Sequence, residues 1–267
     1  MISSNLVPAA RQVFLLLSNN CTPRIMHLFN QISAAAAHLG DSFLLYHQTE
    51  AVLPAALNSN NSFSFCDNIL TGLHYLPVSA TLIPGNNHFP LLHFYRQHPG
   101  YDFYWFIEDD VRFNGPWENL FNYFTAQPGQ PDFISSHVRR FDEEPNWYWW
   151  NTLQHVYTFI PLHLRIRSFN PIYRISNAAL NCIHSILYAD KWRGHHEVLL
   201  PTLLSLEGLH IADFGGVGQF VPEGCMNKFY VDDHCDVFGA INAGTMRYRP
   251  LIENLQHADK LYHPVKE

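Results

Sequence analysis

The feature that most constrains this chain is the run Tyr101 to Ile107 (YDFYWFI), which ends in Glu108, Asp109 and Asp110. A dense apolar and aromatic run of this length suits a central strand buried on both faces. Three consecutive acids at the end of such a strand are costly unless something positive sits beside them. Side chains alternate along an extended chain, so Glu108 and Asp110 point the same way. Two carboxylates on one side suit a hard divalent cation, Mn2+ or Mg2+. Such a cation takes oxygen ligands from one or two carboxylates and shares the rest with substrate phosphates. A solvated acidic turn, or salt bridges to residues such as Arg112, is the alternative.

The segments around this strand set the fold class. Gln12 to Leu17 has the pattern of a buried strand. Pro23 opens a helical pattern through Arg24 to Leu39, closed by Gly40, and Ser42 to Tyr46 forms a second strand. This β-α-β unit makes the first two strands parallel. Glu50 to Asn68 is polar and suits a loop or short helix, and Gly72 to Val78 is the candidate third strand. Helices are expected over Phe89 to His98, Trp117 to Phe124, Asn177 to Tyr188 and Glu197 to Glu207, with strands at Asp132 to Ser136 and Ile172 to Ile175. The glycine-rich C-terminal third is irregular. The expectation is an α/β fold with a mostly parallel sheet, binding ligands beyond the strand ends Leu17, Tyr46, Ile107 and Ser136. With 267 residues and 47% hydrophobics, one domain over 1–267 suffices.

Charge and cysteine usage exclude other classes. A net charge of −7 without basic runs disfavours nucleic acid. No apolar run reaches about 18 residues, so no membrane span is expected. The expected location is cytoplasmic, at most peripheral at the inner face of a membrane. Five cysteines with no paired spacing indicate neither a disulfide framework nor a zinc ribbon.

Tyr104 through Val111 resembles the GT-A glycosyltransferase pattern, an apolar strand ending in a DxD motif, with Glu108 in place of the first aspartate. Residues 104–117, 146–153, 194–204 and 261–266 resemble an uncharacterised group of GT-A-like proteins. The resemblance implies a Rossmann-type sheet flanked by helices, with 12–110 binding a nucleotide-sugar and 111–267 the acceptor. It implies Asp110 as the direct ligand of Mn2+ or Mg2+, Glu108 in support and the late histidine His263 as a further ligand. It also implies a UDP-sugar donor by preference and a glycan or lipid-linked glycan acceptor, in surface polysaccharide (O-antigen or capsule) assembly. In an inverting transfer Glu197 is then the general base. The plainer reading of Glu197 is a helix-start carboxylate favoured by the dipole.

Further candidates follow from position. Ser18 and Asn19 after the first strand, and His47 after the second, can contact base or ribose. Asp109, Arg112 and Lys266 are candidates for the donor's sugar or diphosphate. Trp147 to Trp150 is the densest aromatic cluster; Trp147 and Trp150 are either core or an acceptor platform, with His195 and His196 beside the acceptor. Arg139 and Arg140 can meet an anionic acceptor group. Two rival functions remain at this level. One is a metal-dependent hydrolase or phosphoesterase that adds Asp232, Asp233 and His234 to Glu108, Asp110 and His263. The other is a non-catalytic sugar-binding protein built on the tryptophans.

Overall fold

The computed structural model describes residues 10–266 apart from 56, 58–60, 128, 190 and 234–238. His234 of the rival metal cluster therefore lies outside the described residues. The first unit is strand β1 (Gln12–Ser18), helix α1 (Pro23–Ala36) and strand β2 (Gly40–His47), with β1 and β2 parallel and Ser18 opposite Tyr46. Thr22 caps α1 by accepting from the Ile25 N–H, and Pro23 opens the helix where no amide is needed.

Strand β3 (Ser62–Phe65) then pairs parallel to β2, within the stretch read from sequence as a loop or short helix. Gly72 to Val78 forms no strand. Short helix α2 (Ile69–Gly72) ends there, and Leu73 and Tyr75 are buried from irregular backbone. Apolar side chains at this point serve packing without a ladder, which composition does not distinguish from a strand. Helix α3 (His88–Gln97) leads to strand β4 (Phe103–Glu108), the aromatic run. A two-residue strand β5 (Arg112–Phe113), helix α4 (Trp117–Ala126) and strand β6 (Phe133–Arg140) follow. The strand expected at Ile172 to Ile175 is the end of a longer one, β7 (Ile166–Ser176). Helices α5 (Asn177–Ala189) and α6 (His196–Leu206), strand β8 (Ile211–Asp213) and a final β9 (Leu261–Tyr262) complete the elements.

The main sheet has seven strands in the order β3-β2-β1-β4-β7-β6-β8, and β7 alone runs against the rest. The fold is therefore α/β with a mostly parallel sheet flanked by helices. Both faces of the sheet are covered. Val13, Leu15, Tyr104 and Phe106 pack into a core with α3, α5 and α6, while Phe14, Leu16, Trp105 and Ile107 pack into a core with α1 and α4. Double burial explains why β1 and β4 are continuous apolar runs without alternation.

The polar ends of Trp105 and Gln12 are paired inside the core. Trp105 Nε1 donates to Gln12 Oε1 at 2.9 Å, and Gln12 Nε2 donates to Thr125 at 2.7 Å. Trp105 is fully buried and stacks near Phe14 and Phe214. Replacing it leaves a cavity and strands the Gln12 oxygen. Trp105→Ala is expected to cost about 3–5 kcal/mol of unfolding free energy in urea titration; a loss well under 1 kcal/mol contradicts this packing.

Candidate metal site

Strand β4 ends at Glu108, and a turn carries Asp109 and Asp110. Glu108 continues the parity of Tyr104 and Phe106, towards the face covered by α3 and α6. Asp109, in that turn, takes the side of Trp105 and Ile107, towards the α1 face. The contacts agree: Asn87 Nδ2 donates to Glu108 Oε1 at 2.6 Å, and the Ser18 hydroxyl donates to Asp109 Oδ2 at 2.5 Å. Asn87 occupies the N-cap position of α3, yet its side chain makes no cap bond. Its amide orients the first acid of the motif.

His263 reaches the motif through two pairings. Strand β9 pairs antiparallel with β5, Arg112 opposite Tyr262, and the Val265 N–H donates to the Asp110 carbonyl at 2.9 Å. His263 Nε2 then stands 3.2 Å from Asp110 Oδ1 and 3.9 Å from Glu108 Oε2. Ligand atoms of Glu108, Asp110 and His263 all lie within 4.8 Å of one another, the one such group among the described residues. These separations suit a cation with ligand bonds of roughly 2.0–2.2 Å, whose ligands stand about 3–4.5 Å apart. Two carboxylates and an imidazole are also a donor set that Mn2+ accepts.

The tautomer of His263 sharpens the point. Its Nδ1 lies 2.8 Å from the Arg247 carbonyl, which only an N–H can satisfy. Nε2, facing two carboxylates, is then a lone pair against negative oxygens unless a cation lies between. Without metal that cation is a proton. Burial lowers the His263 pKa, but contact with Asp110 and Glu108 more than offsets it, so the pKa is raised. Glu108 is raised by burial and then by Asp110, while His263 keeps Asp110 low against its burial.

The group opens into a pocket of about 560 Å3. Glu197, at the start of α6, lines the same pocket. Its Oε1 accepts from the Asn170 N–H at 3.3 Å, and burial lifts its pKa to about 7 despite Arg167. His195 and His196 line it as well, and burial, aided for His195 by its histidine neighbours, keeps both neutral. Trp147 is in the wall. Trp150 is not: it is 1% exposed, its indole N–H donates to the Glu144 carbonyl, and it packs edge-on against Trp147. Tyr148 and Trp149 take the place in the wall assigned to it from sequence.

The other candidates divide by position. Lys266 is exposed and lines the pocket; burial raises Asp109 against the pull of the lysine's charge, and that charge adds to His263 in holding Asp110 low. Ser18 sits at the end of β1, hydrogen-bonded to Asp109, and Asn19 is exposed in the turn after it. His47, at the end of β2, stacks on Phe65 and contacts Asp67, away from the three-ligand group. Arg112 turns to the motif's own backbone, donating to the Asp109 and Val111 carbonyls, and does not line the pocket. Arg139 is buried in an ion pair with Asp232 and has no free charge for an acceptor. Asp232 also lies 3.4 Å from His137, so it is spent on that buried network instead of on the metal group. Sequence reasoning missed Asn87, Trp149 as a wall residue, and Asn170; the Asn86-Asn87 pair before α3 carried only a capping signal.

Residues 69–131 match a family described as a protein of unknown function, DUF3405. No curated protein matches the chain in sequence. Among solved structures the chain is similar to glucosyl-3-phosphoglycerate synthase from Mycobacterium tuberculosis, in complex with Mn2+, UDP-glucose and glycerol 3-phosphate. The identity is 14% and the TM-score 0.45, over 76% of this chain and 69% of that one. It is also similar to a glycosyltransferase involved in glycosylation of the major capsid of PBCV-1, at 6% identity and TM-score 0.33, over 66% of each chain.

The metal-free site has a stability signature. Glu108, Glu197 and His263 all have folded-state pKa values raised above their ordinary ones, so at these three groups the native state holds more protons than the unfolded chain. The contribution of these three groups to stability falls as pH rises from about 5 to about 8, while the buried neutral histidines His88, His195 and His196 contribute with the opposite sign below about 6.5. A bound cation replaces the protons on Glu108 and His263. The gain in Tm on adding Mn2+ over EDTA is expected to grow between pH 5.5 and 8, and to vanish in Asp110→Asn. A gain independent of pH, or one retained in that variant, removes the cation from this site.

Proposed function

We propose that this chain is a metal-dependent glycosyltransferase that moves a sugar from a nucleotide-sugar, a UDP-sugar by preference, to a glycan hydroxyl with inversion. The observation that carries the reading is the Glu108, Asp110 and His263 group, gathered at the carboxyl end of a parallel strand and opening into a pocket that also holds Glu197. Open α/β sheets bind nucleotides in this crevice. Residues 12–110 provide the donor half: Ser18, Asn19 and His47 at the ends of β1 and β2 suit the nucleoside, and Asp109 the sugar or ribose. Residues 111–267 provide the acceptor wall, and return Lys266 to the diphosphate.

Bound Mn2+ or Mg2+ neutralises charge that builds on the departing diphosphate. Asn87 holds Glu108 so that its second oxygen faces the ligand group. Glu197 accepts the proton of the acceptor hydroxyl as that oxygen bonds to the anomeric carbon, whose bond to the diphosphate oxygen breaks. A carboxylate with a pKa of about 7 is matched to this role at neutral pH. The aromatic wall beside Glu197 favours a sugar over the bare water of a hydrolase.

UDP is expected to raise the Tm only when Mn2+ or Mg2+ is present, and not at all in Asp110→Asn. UDP stabilisation that survives EDTA contradicts the reading. Glu197→Gln is expected to retain UDP and Mn2+ binding while kcat falls by about 10²–10⁴-fold. The parent's kcat should rise with pH through about 7 as Glu197 loses its proton. A Gln variant that keeps both the rate and this limb assigns the base elsewhere.

A further inference from the structure

The pocket does not stop at Glu197. It continues to a wall of stacked rings, Trp149 on His195 at 4.8 Å and 13°, and His195 on His196 at 4.8 Å and 25°. Trp149 is only partly buried. Two polar atoms beside this wall are buried and lack hydrogen-bond partners, Asn170 Nδ2 and His196 Nδ1. Asn170 is 1% exposed and His196 4%, and both residues line the pocket. Asn170 Oδ1 is already taken by the Ser135 hydroxyl at 2.7 Å, which leaves its amide N–H groups as the free end. These atoms bracket Glu197: its carboxylate accepts from the Asn170 backbone, and His196 precedes it in the chain. A buried polar atom without a partner costs free energy that a ligand can recover. A hydroxyl accepts from an amide and either donates to or accepts from an imidazole, so it satisfies both.

We propose that this end of the pocket is a subsite for an uncharged saccharide ring, with Trp149 against the ring's apolar face and Asn170 and His196 on its hydroxyls. The proposal rests on the transferase reading and names the class of its acceptor. Charge at the site favours a neutral ligand. Both histidines are neutral, because burial holds their pKa values low. Arg167, fully buried, is turned to Glu144 at 2.9 Å and to the Trp147 ring. Lys266 stands beside Asp109 and Asp110. Arg249 is exposed, with its guanidinium over Tyr248. A phosphate or carboxylate seated between Trp149 and Asn170 lies against the Glu197 carboxylate instead.

The test uses the full chain loaded with UDP and Mn2+, titrated with neutral methyl hexosides and with the corresponding hexose 6-phosphates, read by tryptophan fluorescence. A neutral hexoside is expected to bind at least about tenfold more tightly than its phosphate. Trp149→Ala and Asn170→Ala each weaken it by about tenfold, Trp149→Phe largely restores it, and Arg249→Ala leaves it unchanged. UDP and Mn2+ affinity stays at the parent's value in all four variants, which shows that they fold. Preference for the phosphates with dependence on Arg249, no hexoside binding, or binding indifferent to Trp149 and Asn170 overturns the subsite. Failure of UDP and Mn2+ to bind the parent protein overturns the transferase reading itself, and is read in a separate titration without sugar.

Discussion

Strand β4 is covered on both faces, and the rest of the molecule is arranged by that constraint. Its side chains leave water in two directions, so α3, α5 and α6 must close one face and α1 and α4 the other. The strand's last residues then emerge at the sheet's carboxyl edge, between the two layers, where nothing apolar can follow. Acids placed there are partly withdrawn from water yet remain open to a pocket. Two carboxylates in such a place repel one another and are poorly solvated. The fold answers by returning its C-terminal segment to them.

That return links structure to chemistry. Pairing of β5 with β9 and the bond from Val265 to Asp110 put an imidazole against both carboxylates. Fixing Nδ1 on the Arg247 carbonyl commits the other nitrogen to face them. The result is a position that demands positive charge, filled by a proton when no metal is present. A site that binds its cation through this demand also ties stability to pH, since metal and protons compete for the same atoms.

The two ends of the pocket differ in kind. One end is charged and holds Glu108, Asp110, His263 and Lys266; the other is aromatic and neutral, with Trp149, His195 and His196. Glu197 stands between them, raised to about 7 because it shares the burial of the second end. Charge separation within one cavity suits the transfer proposed above, with the diphosphate at the charged end and the acceptor hydroxyl at the neutral one.

Much of this was legible in the residues. Apolar runs at Val13 to Leu17 and Phe103 to Ile107 specify doubly buried strands, because no half-exposed strand tolerates them. The β-α-β order makes the first strands parallel; alternation points Glu108 and Asp110 the same way, although it is a turn after β4 that brings Asp110 there. Where packing and pairing compete, the pattern was ambiguous: Gly72 to Val78 is apolar but unladdered, while Ser62 to Phe65 is half polar and forms β3. Trp150 and Trp149 are indistinguishable by type, and only the turn that carries them sends one into the core and the other into the wall. The same holds for Asn87, which the chain marks as a helix cap and the fold gives to Glu108. Local sequence determined which segments form strands and where acids collect, since those follow from short-range sterics and burial. Resemblance named His263, but that Asn87 and Ser18 meet those acids was decided by the tertiary structure, because contacts between separate elements are set by how the layers close.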